Sequence, residues 1–376
     1  MLIVAASFAI FVYGLVAAFL GTALPDLSKR FDLTPSRNGT IAFAQAIGLM
    51  LASLGAGPLI DLQGKKIALV LGTLLILAAL LLLPRSRGFG DVVLLMFLMG
   101  LGGGTMVTGA NALASDTGDA HRAIALNLAN VFFGLGGLIT PFLTANLFRG
   151  NSTKMGYTIA GIAVVSVAIQ FLTPMARPAG GGRITLADAG SVLGRAPLIL
   201  IGLFLFLYVS CEVGVWNWLV RHMIAQGIPA PRAMNTLSLG FALGLLIGRA
   251  AILPVLIHVR PLTVTLVGSI CMAVTTLLVI QCRSAQLAGL FVFLAGLSMA
   301  PMFPTALAIV PEFFPRLTST AIGVAITFGW AGLAVSSRII GGIAGGDATR
   351  LKKALLVLPA FSCVMVVLSL LMRVVR

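Results

Sequence analysis

One acid in this chain sits where acids are costly to keep. Glu212 lies inside the apolar run 196–220, whereas Asp26, Asp61, Asp91, Asp116, Asp119, Glu312 and Asp347 fall at the ends of such runs or between them. Holding a charge at the centre of a bilayer costs about 2.5–3.5 kcal/mol on insertion scales, and neutralising an ordinary carboxyl at pH 7 costs about 3.7 kcal/mol. With the two so close, the surroundings decide between two roles: a group that titrates during a working cycle, or an ionised acceptor held by hydroxyl donors or a neighbouring helix. Tyr208, Glu212 and Trp216 follow an i, i+4, i+8 spacing, which puts two aromatic rings and a carboxylate on one helical face. A ring that covers the C–H face of a pyranose, beside an acid that accepts from its hydroxyls, suits a sugar. Trp218 reads instead as an anchor at a membrane interface.

Three amides make a second group. Asn111 lies in the run 91–114, and Asn127 and Asn130 lie in 122–148. An amide left without a partner in an apolar medium costs several kcal/mol, so each must face protein or water. Asn127 and Asn130, three residues apart, can present donors and acceptors to one polyhydroxylated ligand. The competing role is a hydrogen bond to a neighbouring helix. Ligand binding is the reading for Asn111 and Asn130, while Asn127 fits either role equally. Gln45 and Thr108 are weaker additions to the same binding set.

Other chemistries lack their parts. His121, His222 and His258 are separate and stand at the ends of runs, and Cys211, Cys271, Cys282 and Cys363 are scattered without CxxC spacing. No nucleophile with its base, metal-ligand set or cofactor motif is present, so neither an enzyme, a metal site nor a cofactor is expected. The glycines at 102–104, 134, 136 and 137 follow no strand, which excludes a phosphate loop and leaves close helix packing.

These residues must be positioned by helices in lipid. The 376-residue chain is 59% hydrophobic and 9% charged, with a mean hydropathy of +1.10, where soluble domains carry about a quarter charged residues. Apolar runs of about 20 residues match the hydrocarbon thickness. They are read near 2–24, 38–60, 66–84, 91–114, 122–148 and 154–174, then near 196–220, 233–251, 261–281, 287–311, 318–340 and 351–373. The expected fold is therefore an all-α polytopic membrane protein of twelve spans. It divides into a six-helix bundle over 1–174, a linker over 175–195 and a second six-helix bundle over 196–376. Two equal halves suggest a duplicated bundle, an arrangement that puts a substrate near the midplane between repeats. The first run reads as a retained span and not a signal peptide, because no small-residue cleavage site follows it. The formal charge of +15 is dispersed among connections, which argues against nucleic acid and for anionic lipid headgroups. Lysine and arginine are about equally common on the two faces, so charge does not choose an orientation.

The stretch Gly57-Pro-Leu-Ile-Asp61-Leu-Gln-Gly64-Lys65-Lys66 resembles the loop signature of the major facilitator superfamily. That resemblance implies a conformational latch made by Gly57, Asp61, Gly64, Lys65 and Lys66, with a local echo at Gly244, Gly248 and Arg249, which are read as ending the eighth span. Thr108 to Asp116, then Leu126 to Pro141, then Tyr208 to Trp218, and Pro301-Met-Phe-Pro304-Thr305 are similar to the fucose, glucose and galactose porter branch. Some features of the branch, and of other branches of the superfamily, are missing. The acids of its proton-coupled pattern align here with Gly21 and Val107, a common fourth-span arginine aligns with Met96, and the proline motif of drug antiporters is not reproduced around Gly134 to Pro141.

The resemblance implies a monomeric secondary transporter working by alternating access, embedded in membrane lipid of a bacterial inner membrane with both termini cytoplasmic. Its cargo is expected to be a small neutral polyhydroxylated solute, a monosaccharide, taken either with protons carried by Glu212 or without coupling. The alternative is an exporter of amphipathic or drug-like compounds, in which Trp216, Phe133 and Met302 would dominate the cavity.

Overall fold

The computed structural model describes residues 1–118, 121–175, 186–282, 284–344 and 348–375. Most of the expected linker, 176–185, lies outside them, as do Asp119 and Asp347; what is described between the halves includes a short helix, Leu186–Leu193. Twelve helices among the described residues are long and apolar enough to cross a membrane. The first six spans are Leu2–Phe31, Arg37–Gln63, Lys65–Arg85, Phe89–Thr117, Arg122–Thr144 and Ser152–Leu172. The second six are Ala196–Ala225, Arg232–His258, Pro261–Gln281, Leu287–Phe313, Thr318–Ala344 and Arg350–Val374. Leu94, Phe142, Val164, Val267 and Val367 each stand more than half exposed on these helices. Hydrocarbon, not water, is the medium that such surfaces require.

Local chemistry starts and stops the helices. Thr34, just before Pro35, accepts from the Arg37 backbone N–H, and Asn151 accepts from Lys154 N at 2.9 Å, each satisfying a donor that the first helical turn leaves open. The turn between the second and third spans is a single residue, Gly64, at φ +96°. Only glycine holds that conformation without strain.

Two spans run further than their hydropathy suggests. The first continues past Pro25 to Phe31, and the eighth continues past Pro254 to His258. A proline removes one backbone bond, which membrane helices tolerate. The eighth span also contains a π-helical stretch, Thr236–Ala242, and the tenth breaks between Met299 and Met302, at Pro301.

The chain divides into two compact units. One comprises Met1–Leu193 with Phe314–Thr327, the other Gly194–Phe313 with Phe328–Arg376. Within the first unit, span two packs on four, three on four, three on six and one on both four and six. Within the second, the pairs six places later recur: eight on ten, nine on ten, nine on twelve and seven on both ten and twelve. The recurrence extends to detail. A Cβ on Gly100 or Gly104 would lie 2.2 Å from the Gln45 carbonyl or 2.5 Å from that of Leu49, so spans two and four meet backbone to backbone. A Cβ on Gly244 or Gly296 would likewise lie 2.4 Å from the carbonyl of Phe293 or Phe241, across the seam of spans eight and ten. Gly244 and Gly248 therefore belong to a packing seam, not to the span end at which the sequence places them.

Gly104→Val is expected to push spans two and four apart and lower the thermal unfolding midpoint of the purified protein by several degrees. Gly161→Ala, where a Cβ meets nothing within 4 Å, is the matched control, with an unchanged midpoint. Equal midpoints for both variants would contradict backbone contact at this seam.

Candidate functional site

In the first unit, the fourth span is the most enclosed, and it carries Thr108 and Asn111 three residues apart on one face. Both are buried, at 0% and 1% exposure. Asn111 Nδ2 donates to the Val107 carbonyl of its own helix at 2.8 Å, which leaves its Oδ1 without a hydrogen-bond partner among the described residues. Thr108 Oγ1 has none either. That is unusual for a helical threonine here: Thr73 and Thr105 both bond the carbonyl four residues back. Two polar atoms on one helical face are thus held out of water with their hydrogen bonds unmade, at a cost of about 1–3 kcal/mol each.

The fifth span carries the other amides. Asn127 and Asn130 donate to Ala123 and Leu126 carbonyls of their own helix, both at 2.9 Å, and each is engaged further by other groups. Asn130 retains 7% exposure and Asn127 none. Gln45 is buried on the second span, its backbone carbonyl against Gly100. Phe133, one turn beyond Asn130, stacks on Tyr13 with ring centroids 5.6 Å apart.

The Gly57–Lys66 segment is also in the first unit. Asp61 Oδ1 accepts from the Ser319 N–H at 3.2 Å, and Oδ2 accepts from the Thr320 N–H at 2.8 Å and its hydroxyl at 2.7 Å. The carboxylate thereby covers the open N–H groups and positive end of the helix Thr318–Ala344. Gly57 makes room for the approach, since a Cβ there would lie 2.6 Å from Thr320 Cα. Lys65 pairs with Asp116 at 2.8 Å, and Lys66 donates to the Phe171 carbonyl at 2.9 Å. The sequence offered Asp61 and the lysines but not their partners. A Thr-Ser-Thr run opening a span at 318–320 was the available signal for one of them.

In the second unit, Tyr208, Glu212 and Trp216 share their face but not their surroundings. Tyr208 is fully buried, tilted against Phe303 with centroids 6.4 Å apart. Its hydroxyl has no hydrogen-bond partner among the described residues. Glu212 is half-buried. Trp216 is 39% exposed and meets Phe241 of the π-helical stretch edge-on at 5.4 Å. Trp218 carries the Arg221 guanidinium 5.8 Å from its ring centre.

Arg249 is the main correction in this unit. Read from sequence as a latch residue at a span end, it lies more than two turns inside its helix, 5% exposed, because that helix continues through Pro254.

The family model of the Major Facilitator Superfamily matches residues 6–337. The chain belongs to the major facilitator superfamily. It is thus an integral, multi-pass membrane protein of a transporter family, and relatives of that kind surround it. It is 26% identical over 342 residues to the glucose/mannose transporter GlcP of Bacillus subtilis, covering 85% of this chain and 83% of the relative. It is 28% identical over 165 residues to the 4-hydroxybenzoate transporter PcaK of Pseudomonas aeruginosa, covering 43% of this chain and 37% of that one. Its fold matches the crystal structure of the superfamily transporter FucP in the outward conformation, with a TM-score of 0.87, 17% identity and 98% of each chain covered.

Asp61→Ala removes all three bonds to the 318–344 helix and is expected to cost about 1–2 kcal/mol, read as a lower thermal midpoint. Asp61→Asn, which keeps one acceptor oxygen, falls between. An unchanged midpoint in Asp61→Ala would contradict the capping role.

Proposed function

We propose that this protein is a secondary transporter that moves a small neutral polyhydroxylated solute of monosaccharide size by alternating access. The observation that carries the reading is the pair of buried, unsatisfied polar atoms on the fourth span, Thr108 Oγ1 and Asn111 Oδ1. A fold keeps such atoms at a cost, and a cargo rich in hydroxyls is a partner that satisfies both, donating to the amide oxygen and exchanging donor and acceptor roles with the threonine. Asn130, Asn127 and Gln45, buried in the same unit, add donors and acceptors. Within the second unit, taken by itself, Tyr208, Glu212 and Trp216 offer a hydroxyl, an acid and an aromatic edge of the kind a sugar meets. The likenesses to the glucose/mannose transporter and to FucP, named a fucose:proton symporter, support a sugar.

The corner of Gly57, Asp61, Gly64, Lys65 and Lys66 acts as a latch. Asp61 holds the 318–344 helix by its N-terminus in one state and releases it in the other, so that closure depends on a few charge-assisted bonds. The protein resides in a bacterial inner membrane as a monomer, its termini and the 175–195 linker cytoplasmic and its scattered cations on lipid headgroups. Coupling, where present, runs through Glu212: a pH gradient then drives accumulation, whereas an uncoupled carrier only equilibrates its cargo.

In proteoliposomes, uptake of labelled hexoses is expected to saturate and to be competed by unlabelled hexose. Thr108→Val with Asn111→Leu replaces unsatisfied polar atoms by apolar ones, a change that leaves a fold as stable or more so. Uptake is nevertheless expected to fall at least about tenfold, the equivalent of losing one hydrogen bond worth about 1.4 kcal/mol, with no drop in thermal midpoint. Undiminished uptake in that double variant would remove the cargo role of these atoms.

A further inference from the structure

At one end of the first unit, where spans one and three finish and spans two and four begin, positive charge gathers. Lys29 and Arg30 close span one, Arg37 opens span two, and Arg85 and Arg87 flank the turn into span four; all five are exposed. None of them makes an ion pair with an acid among the described residues. The same stretches hold the acids Asp26, Asp32 and Asp91, and two of these are engaged at helix starts. Asp26 accepts from the Ser152 N–H at 2.9 Å, and Asp91 from the Arg87 N–H at 2.8 Å. The cations therefore outnumber the carboxylates and keep their guanidinium and ammonium groups open to an anion from outside.

The segments that carry them are tied together. Ser28 and Asn38 exchange two hydrogen bonds, of 3.1 and 2.9 Å, which join the end of span one to the start of span two. Arg30 Nη2 donates to the Pro84 and Ser86 carbonyls at 2.8 and 3.1 Å, which joins span one to the turn bearing Arg85 and Arg87. The Arg37 guanidinium stands over the Phe89 ring, 5.3 Å from its centre, two residues beyond Arg87. Apolar surface adjoins this cluster. Leu81 and Leu82, shortly before Arg85, are 40% and 48% exposed, and Leu94, two turns beyond Arg87, is 57% exposed. Leucines exposed on a spanning helix meet acyl chains, while cations at the helix ends lie at headgroup depth.

We propose that Lys29, Arg30, Arg37, Arg85 and Arg87 form a binding site for the phosphate of one anionic phospholipid, whose acyl chains lie along Leu81, Leu82 and Leu94. Guanidinium forks match phosphate oxygens in pairs, and helix ends that are already tied lose little freedom on binding. A free phosphate would use the cations alone, whereas a lipid also covers the leucines beside them. The site holds one lipid per chain at a fixed place, which goes beyond the general attraction of a basic chain to its membrane, and it does not depend on what the transporter carries.

Native mass spectrometry of the delipidated full chain, with phosphatidylglycerol or phosphatidylcholine of the same acyl chains added, tests the site. The wild type is expected to bind one phosphatidylglycerol at least about tenfold more strongly than phosphatidylcholine. Arg37→Gln with Arg85→Gln and Arg87→Gln should bring the two lipids within about twofold of each other. Arg195→Gln with Arg260→Gln and Arg316→Gln, which removes as much charge elsewhere, should leave the preference intact. If the first triple variant does not purify folded, Arg85→Gln with Arg87→Gln gives the same readout with a severalfold loss. No lipid preference in the wild type, or equal losses in the two triple variants, would overturn the site. Displacement of the lipid by an equal concentration of glycerol 3-phosphate would overturn its assignment to a lipid.

Discussion

Lipid offers no hydrogen bonds, and that constraint shapes the whole molecule. Backbone polar groups must be satisfied within helices, so the chain spends nearly all its length in twelve of them. Each polar side chain left inside then has to be accounted for by a partner. Most are. Thr73, Ser166 and Gln170 bond one another within the first unit, Ser210 and Ser336 bond the seventh and eleventh spans in the second, and Asp26 holds the N-terminus of the sixth span through Ser152. Against that background Thr108 Oγ1, Asn111 Oδ1 and the Tyr208 hydroxyl are among the few buried side-chain polar atoms of the described residues that make no hydrogen bond.

Helix contact follows from the same constraint. With no hydrophobic drive between helices in lipid, close van der Waals approach has to supply the association, and small residues permit it. The glycine seams of spans two and four and of spans eight and ten serve that purpose. They also hold functional groups in register, since Thr108 and Asn111 extend from one seam helix and Arg249 from another. Close packing and precise placement are here one device.

How much of this was legible in the sequence depended on range. Hydropathy marked all twelve spans because each is a local property of about 20 residues, and the spacing of Tyr208, Glu212 and Trp216 gave their shared face. Span ends were less legible at prolines: Pro25 and Pro254 read as boundaries, yet both helices run through them. That error misplaced Arg249, whose burial inside its helix depends on tertiary packing and leaves no periodic trace. The Gly57–Lys66 pattern announced itself, but Asp116 and the Ser319–Thr320 backbone became its partners only through folding. Asn111, Asn127 and Asn130 were legible as buried amides, and only the structure shows each of them donating to the carbonyl one turn back in its own helix.

The central claim is the proposal that the rare polar groups of these spans, buried in this structure, open to water and meet cargo during the transport cycle. It is tested most directly by thiol labelling in native membranes, with Cys211, Cys271, Cys282 and Cys363 first replaced and a single cysteine put in turn at 111, 130 or 212. The account predicts that a membrane-impermeant maleimide labels all three positions and that hexose slows the labelling severalfold. Positions that stay unlabelled with the membrane open from either side, or that label at a rate hexose leaves untouched, would contradict it.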